Sequence, residues 1–384
     1  MIPRFYQKTP AERRTLLGNS KDILQLAGPL NDETAFLDRM SENVIGAWRL
    51  PLGVLTGIAV NGTEHRVAMA TEEPSVVAAA NRAARVCNAA GGVSCTVDTP
   101  VTEAQILCVV HKDSAADLTA RIRDESQSYL DAANAVNPGL CDVGGGAFEL
   151  AVSVLELSGL DTAIELRLFV HTVDAMGANA VNTMAEAVQA LVAQRFADWP
   201  GYRRGMAIVT NAAPGRFVHA SVAIPLDTLA RFSPHADLAD RIEMASRLAM
   251  ASPERAVTHN KGILNGIVAA ALPLGQDTRA LVSAFYAAAC AKGPMRPMVR
   301  WEVRDAALCG TADMPLVVGF AGGFRRNPAV QAAFAFDAIS SYDALCAVLA
   351  AVGIAQNLSA LWALVSDGIQ AGHMALHARK TSPT

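Results

Sequence analysis

Apolar and polar positions alternate most clearly from Leu50 to Ala70, LPLGVLTGIAVNGTEHRVAMA, where two β-rich runs flank Asn61-Gly62. That dipeptide readily takes the positive backbone angles of a tight turn, so the segment predicts a β-hairpin. Just beyond it, Glu73-Pro74-Ser75 opens the Ala-rich run VVAAANRAARVCNA, which predicts a long buried helix with proline in its first turn. Residues 1 to 50 read as polar and helical. PAERRTLLGNS starts a short helix at its proline and closes it near Gly18, as a surface segment or dimer arm. Between about Val101 and Ala207 the texture changes. AQILCVVHK, FELAVSVLEL and TAIELRLFVHTV read as strands, while SAADLTARIRDESQSYLDAANAV and TMAEAVQALVAQRF read as helices, an alternation that predicts an inserted α+β domain. From Met206 onward, MAIVTN and RFVHASVAIP read as strands and most of the remainder as Ala-rich helix packed on helix.

The uncharged stretch Ala344 to Ser366 is long enough to cross a bilayer, but Gly353, Gln356, Asn357 and Ser359 fall near its middle. Unpaired amides are costly in lipid, so two buried helices joined near Gly353 are predicted and no membrane partner is expected. Over 384 residues the chain is 52% hydrophobic and 18% charged, which excludes a disordered chain or a small stapled module and suits two domains. Its 32 basic and 36 acidic residues are scattered, without a run of Lys or Arg, and this disfavours nucleic acid as a partner. Cys87, Cys95, Cys108, Cys141, Cys290, Cys309 and Cys346 stand apart with no CxxC pair. Dispersed thiols, and an N-terminus MIPRFYQKTPAERR without an apolar signal-peptide core, predict a cytoplasmic protein.

Missing motifs remove whole enzyme classes. There is no Gly-Lys dipeptide, no GxSxG elbow and no GxGxxG, so Walker-type and Rossmann nucleotide sites and serine-hydrolase elbows are disfavoured. Several clusters remain. Gly144-Gly145-Gly146 lets another backbone or a flat ligand approach closely, or is a flexible turn. His373 and His377 have a zinc-like spacing, but Met374 stands where a metalloprotease has Glu, so no metal site is expected. His373 could instead act as a general acid. Glu72, Glu73 and Ser75 precede a helix, where a carboxylate caps or, if sequestered, donates a proton. In THNKGILNGI, Lys261 enters an apolar run and needs a counter-charge, for which Asp277 is the candidate. Asp174-Ala175-Met176-Gly177-Ala178-Asn179 precedes a helix predicted to begin near Asn182, where small residues and a helix N-terminus suit a pyrophosphate.

Together, ENVIG (42–46), LPLG (50–53), EEPSVVAAA (72–80), DAMGANAVNTMAEAV (174–188), THNKGILNGI (258–267), GQD (275–277) and GIQAGHMALHAR (368–379) resemble the hydroxymethylglutaryl-CoA reductase family, of the soluble bacterial class II type. The resemblance spans nearly the whole chain. It implies an α+β fold: a large, mainly helical domain around a central helix, with an inserted ferredoxin-like, non-Rossmann dinucleotide-binding domain. The corresponding boundaries are 1–100 and 208–367 for the large domain, 101–207 for the small one, and 368–384 for a truncated start of a C-terminal flap.

The implied reaction interconverts HMG-CoA with mevalonate plus CoA through two hydride transfers with NAD(H) or NADP(H), without a metal. Glu73, Lys261, Asp277 and His373 match the catalytic residues. Lys261 would stabilise the oxyanion with its charge held by Asp277. Glu73 would exchange protons with its pKa raised by enclosure, and His373 would protonate the departing thiolate. Ser75, Arg255, Asn211 and Asn265 match substrate or network positions, Arg255 suiting the free carboxylate. Asn137, Gly144, Gly145, Gly146, Asp174, Met176, Gly177, Ala178 and Asn179 are the implied cofactor contacts. Asn137 falls where NADH-using relatives carry Asp. Active sites at a homodimer interface are also implied, with a trimer of dimers as the larger option. The competing reading is a non-catalytic relative that binds CoA or dinucleotide as a sensor or assembly partner; the presence of all four catalytic residue types argues against it.

Overall fold

The computed structural model describes residues 4–159, 161–366 and 368. Residues 1–52 and 53–384 form two compact units. In the first, helices α1 (Pro10–Leu16), α2 (Lys21–Ala27) and α3 (Asp32–Asp38) are short, and each is stopped by its own sequence. Thr9 and Glu12 form a reciprocal capping box ahead of Pro10, and Gly18 follows α1 with φ +92°.

The second unit opens with the expected hairpin, β1 (Leu52–Val60) and β2 (Thr63–Ala70), whose turn residues Asn61 and Gly62 have φ +51° and +81°. Helix α4 (Val76–Ala89) follows. Its Asn81 and Asn88 are seven residues apart and therefore share a face. Asn81 Nδ2 donates to Val54 O at 2.9 Å, and Asn88 Oδ1 accepts from Ala59 N at 2.8 Å, so one helix face clamps the edge of β1. This clamp fixes the segment 71–75 that enters the helix. Pro74 lies ahead of the N-cap rather than in the first turn as predicted, because the helix starts at Val76.

Strand β3 (Ser94–Val97) leads to β4 (Val101–His111), α5 (Lys112–Asp124), α6 (Ser126–Ala135), α7 (Pro138–Asp142), β5 (Gly146–Glu156), β6 (Asp161–His171), α8 (Ala178–Arg195) and β7 (Arg203–Val209). The sheet order β5-β6-β4-β7, with every pairing antiparallel, is that of a ferredoxin-like fold. Ile106, Leu118, Ile164, Leu166, Val188 and their neighbours give this segment a core of its own. Helix α8 begins at Ala178, four residues before the predicted start.

The chain then returns through β8 (Phe217–Pro225), α9 (Leu226–Ala230), α10 (Leu238–Ala251), α11 (Pro253–Ala271), α12 (Thr278–Cys290), β9 (Val299–Arg304), β10 (Ala307–Pro315), α13 (Pro328–Phe336) and α14 (Tyr342–Val365). Strands β3, β8, β10 and β9 form a second four-stranded sheet. The β9–β10 hairpin falls in the part of the chain expected to be mostly helix. Its turn, Asp305-Ala306, takes φ +52° and +56° without a glycine, so it carries no composition signal.

Helix α14 corrects a second expectation: it is one continuous element of 24 residues, not two joined at Gly353. A Cβ at Gly353 would lie 2.8 Å from Ile267 Cδ1, and one at Gly266 would lie 2.7 Å from Gln356 Cβ. The glycines allow α11 and α14 to cross closely, and neither breaks its helix. Although α14 is apolar and long enough to span a bilayer, 89% of its most apolar window is buried inside the protein. All seven cysteines are free, and burial pushes the Cys87 and Cys346 thiols up to about 12, so both stay protonated at neutral pH.

Asp337, fully buried ahead of α14, accepts from Ala68 N at 2.9 Å through Oδ1, while Oδ2 has no partner among the described residues. Burial pushes its carboxyl from 3.8 up to about 7. The folded value exceeds the unfolded one, so the contribution of this group to stability is fully present below about pH 4 and is lost as the pH rises to about 7. Asp337→Asn should flatten that loss, which the shift sets at no more than about 4 kcal/mol. Denaturant titrations of both proteins across this window check the expectation; an unchanged slope in the variant would refute it.

Candidate active site

A cavity of about 420 Å³ opens between the start of α4, α11 and α14. Glu73, Ser75, Arg255, Lys261 and Asn265 line it together, so five of the residues singled out by sequence converge in one place. Lys261 Nζ lies 3.8 Å from Glu73 Oε2. Two local features hold this geometry. The Glu73 amide donates to Thr71 Oγ1 at 3.1 Å, which folds the segment back on itself. Ser75 adopts φ +76° at the N-cap of α4 and makes no side-chain cap bond. A non-glycine residue in that region is strained, and strain of this kind collects at functional sites. The Ser75 hydroxyl is not spent on capping and is left for the cavity it lines.

On α11, Arg255, Thr258, Lys261, Gly262 and Asn265 recur at helical spacing on the wall of the cavity. Arg255 has no ion-pair partner among the described residues; only its backbone amide is engaged, donating to Ser252 Oγ at 3.3 Å. A guanidinium left open on a cavity wall suits a ligand carboxylate.

Three expectations change. Lys261 does not enter an apolar interior: its side chain is 58% exposed and that of Glu73 is 38% exposed, so the described residues do not enclose the pair. Asp277 is not the counter-charge. It caps α12, accepting from Arg279 N at 3.0 Å and Ala280 N at 3.1 Å, and pairs with the Arg279 guanidinium at 3.0 Å. A carboxylate at a helix start is claimed by nearby amides, and the sixteen-residue spacing from Lys261 to Asp277 could not reveal that. Asn211 is exposed in a bend after β7 and does not line the cavity. His373 lies outside the described residues.

The other candidate residues form two separate features. Gly144, Gly145 and Gly146 line a shallow groove of about 320 Å³ with Thr99, Val101, Phe148 and His171. Gly144 and Gly146 have φ +84° and +122°, and a Cβ on Gly145 would lie 2.7 Å from His171 O. Asn137 heads the short α7, with its carbonyl accepting from Leu140 N at 3.2 Å; the Leu140 carbonyl in turn accepts from Gly145 N at 2.9 Å. Elsewhere, Asp174–Gly177 leads into α8, whose N-cap Gly177 (φ +90°) supplies no side-chain cap.

Sequence reasoning missed the cavity floor. Gln356 Oε1 and Asn357 Nδ2 are buried without a partner among the described residues, while Asn357 Oδ1 accepts from Trp301 Nε1 at 2.8 Å. An unmade buried hydrogen bond costs about 1–3 kcal/mol, so these atoms favour a polar ligand. Their amides were visible in the sequence only as an argument against a membrane span. His259 also lines the cavity, and burial pushes it down to about 4, so it is neutral at physiological pH. Among the described residues no His, Cys, Asp and Glu cluster has the makings of a metal site.

Comparisons with known proteins agree with one another. The sequence model of hydroxymethylglutaryl-coenzyme A reductase matches residues 9–378. The 3-hydroxy-3-methylglutaryl-coenzyme A reductase of Archaeoglobus fulgidus is 35% identical over 396 residues, covering 98% of this chain and 86% of its own. A probable reductase of the same name from Borreliella burgdorferi is 33% identical, covering 91% and 79%. The class II enzyme of Streptococcus pneumoniae, solved bound to NADPH in open conformations, superposes with a TM-score of 0.81 at 31% identity, covering 95% of this chain and 99% of that one. A cavity pairing a lysine with a glutamate, a ferredoxin-like inserted sheet and these matches lead to one conclusion: the chain belongs to the hydroxymethylglutaryl-coenzyme A reductase family, of the class II type.

Proposed function

We propose that the cavity between α4, α11 and α14 binds the hydroxymethylglutaryl group and that Lys261 and Glu73 carry out its reduction. The observation that carries this reading is the 3.8 Å approach of Lys261 Nζ to Glu73 Oε2 on a wall shared with an unpaired Arg255. Arg255 holds the free carboxylate of the substrate, directing the thioester end toward Lys261. Ser75, Asn265, Gln356 and Asn357 offer hydrogen bonds to the remaining oxygens. Lys261 stabilises negative charge on the reacting oxygen, and Glu73 delivers or accepts its proton. His373 protonates the thiolate as CoA departs. We assign Asp277 a supporting place at the start of α12.

NAD(P)H, when bound, supplies the two hydrides. The residues present fit a dinucleotide: a Cβ at Gly144 would meet nothing within 4 Å, leaving the groove open, and the first turn of α8 lacks a side-chain cap. We infer that residues 101–207 form the cofactor domain, with the glycine groove and the 174–179 loop as its contacts. Asn137 is neutral, where a carboxylate would repel a 2′-phosphate, so both NAD and NADP should serve. Because Glu73 and Lys261 are open in the single chain, we further propose a homodimer, with a trimer of dimers as a larger option, in which the second copy completes the site. The cytoplasm is the proposed location.

Arg255→Ala tests the substrate assignment. A charge-assisted hydrogen bond contributes about 1.5–3 kcal/mol, so KM for HMG-CoA and for mevalonate should rise about 10- to 100-fold with a smaller change in kcat. An unchanged KM in the folded variant would exclude Arg255 as the carboxylate anchor.

A further inference from the structure

Arg216, at the entry to β8, is 1% exposed, yet no carboxylate pairs with it among the described residues. Its guanidinium is satisfied by neutral groups. Nε donates to Thr102 Oγ1 at 3.0 Å, and Nη1 donates to Val318 O at 2.9 Å and to Tyr342 Oη at 3.4 Å. Nη2 donates to Ala175 O at 2.8 Å, to Met176 O at 2.9 Å and to Thr172 Oγ1. Thr102 Oγ1 also donates to Met176 O at 3.2 Å, so this carbonyl is held twice. Burying an unpaired charge is expensive, and removing it would leave its carbonyl and hydroxyl acceptors unsatisfied. What the charge accomplishes here is to gather the backbone carbonyls of one loop.

That loop needs holding. Val173 has φ +51°, a region that β-branched residues avoid, and Gly177 has φ +90° with its absent Cβ 2.4 Å from Thr172 Cγ2. On the opposite side, Asp174 O accepts from Phe320 N at 2.7 Å and Ala321 N at 2.9 Å. Gln276 Oε1 accepts from Gly319 N at 2.8 Å and Gln276 Nε2 donates to Gly319 O at 3.1 Å. A Cβ on Gly319 would be 2.5 Å from Met176 N, which shows how closely this segment abuts the loop. The carbonyls of residues 174–176 are thus all claimed by the protein. The uncapped amides of the first turn of α8 remain for an anion.

We propose that Arg216 is a positioning residue for the dinucleotide: by drawing the Ala175 and Met176 carbonyls inward it presents the α8 N-terminus to the cofactor's phosphates. This rests on the reading of the 174–179 loop as a cofactor contact. The test uses the full chain and measures equilibrium binding of NADPH and NADH, by quenching of their fluorescence, and of HMG-CoA, by calorimetry. Arg216→Lys keeps the charge but cannot bridge both carbonyls. It should weaken dinucleotide binding at least about 10-fold while HMG-CoA affinity stays within about twofold, a split that general loosening of the fold would not produce. Ala178→Glu, which sets a negative charge in the first turn of α8, should abolish dinucleotide binding. If Ala178→Glu acts so and Arg216→Lys binds dinucleotide normally, the positioning role is wrong and the loop reading stands. If Ala178→Glu also binds normally, the loop reading falls and this proposal with it. Equal losses for both ligands in Arg216→Lys would mark the residue as merely structural. Should that variant be recovered unfolded, Thr172→Val removes one of the guanidinium's acceptors and is judged by the same split, with a loss of about threefold expected and normal dinucleotide binding refuting the role.

Discussion

Lys261→Ala is expected to lower turnover by at least about 100-fold while leaving the protein folded, in the range seen when an oxyanion-stabilising donor is removed. The two halves of this expectation have different origins. Lys261 is 58% exposed, and Glu73, with which it pairs at 3.8 Å, is 38% exposed. An ion pair this open contributes no more than about 1 kcal/mol to stability, so thermal unfolding should shift little. The loss appears only when negative charge develops on the substrate oxygen with no ammonium to meet it. Turnover within a few-fold of the parent, in a variant with the parent's unfolding transition, would remove Lys261 from the chemistry.

Glu73→Gln should be at least as damaging. The amide preserves size and polarity but cannot give up or take a proton at neutral pH, and a positioned general acid or base is worth about 10²- to 10⁴-fold. The effect should appear with free mevaldehyde as well as with the thioester, because both substrates end on an oxygen that needs a proton. Groups in contact act as a unit and do not add. The double variant Glu73→Gln/Lys261→Ala should therefore lose much less than the product of the single losses. Full additivity would mean that the two side chains serve unrelated steps.

The parts of the fold that local chemistry controls were legible in the sequence. Asn61-Gly62 makes its hairpin because those residues tolerate positive φ, and Thr9 and Glu12 start α1 because their side chains satisfy free amides. The inserted α+β segment showed itself through the alternation of strand and helix texture from about 101 to 207. Features that depend on tertiary partners were hidden. Gly353 resembles a helix joint until Ile267 is seen to occupy the space beside it, and Asp305-Ala306 lacks the glycine that usually marks a hairpin turn with two positive φ angles. In the site, Arg255 and Asn265 were legible through the family resemblance, and α11 brings them with Lys261 onto one wall. The partner of Lys261 was not legible: charge alone favoured Asp277, whereas helix capping claims that carboxylate and the strained Ser75 turn brings Glu73 instead. Arg216 gave no signal, since a buried arginine served only by carbonyls and hydroxyls has no sequence signature.

The most direct measurement is a steady-state assay of mevalonate oxidation in the presence of CoA, with NAD and NADP in parallel. Dinucleotide reduction that requires both mevalonate and CoA is predicted, at comparable efficiency with the two cofactors because Asn137 carries no charge to repel a 2′-phosphate. A folded protein that binds CoA or dinucleotide yet reduces neither cofactor under any of these conditions would contradict the account and leave a binding protein in place of an enzyme.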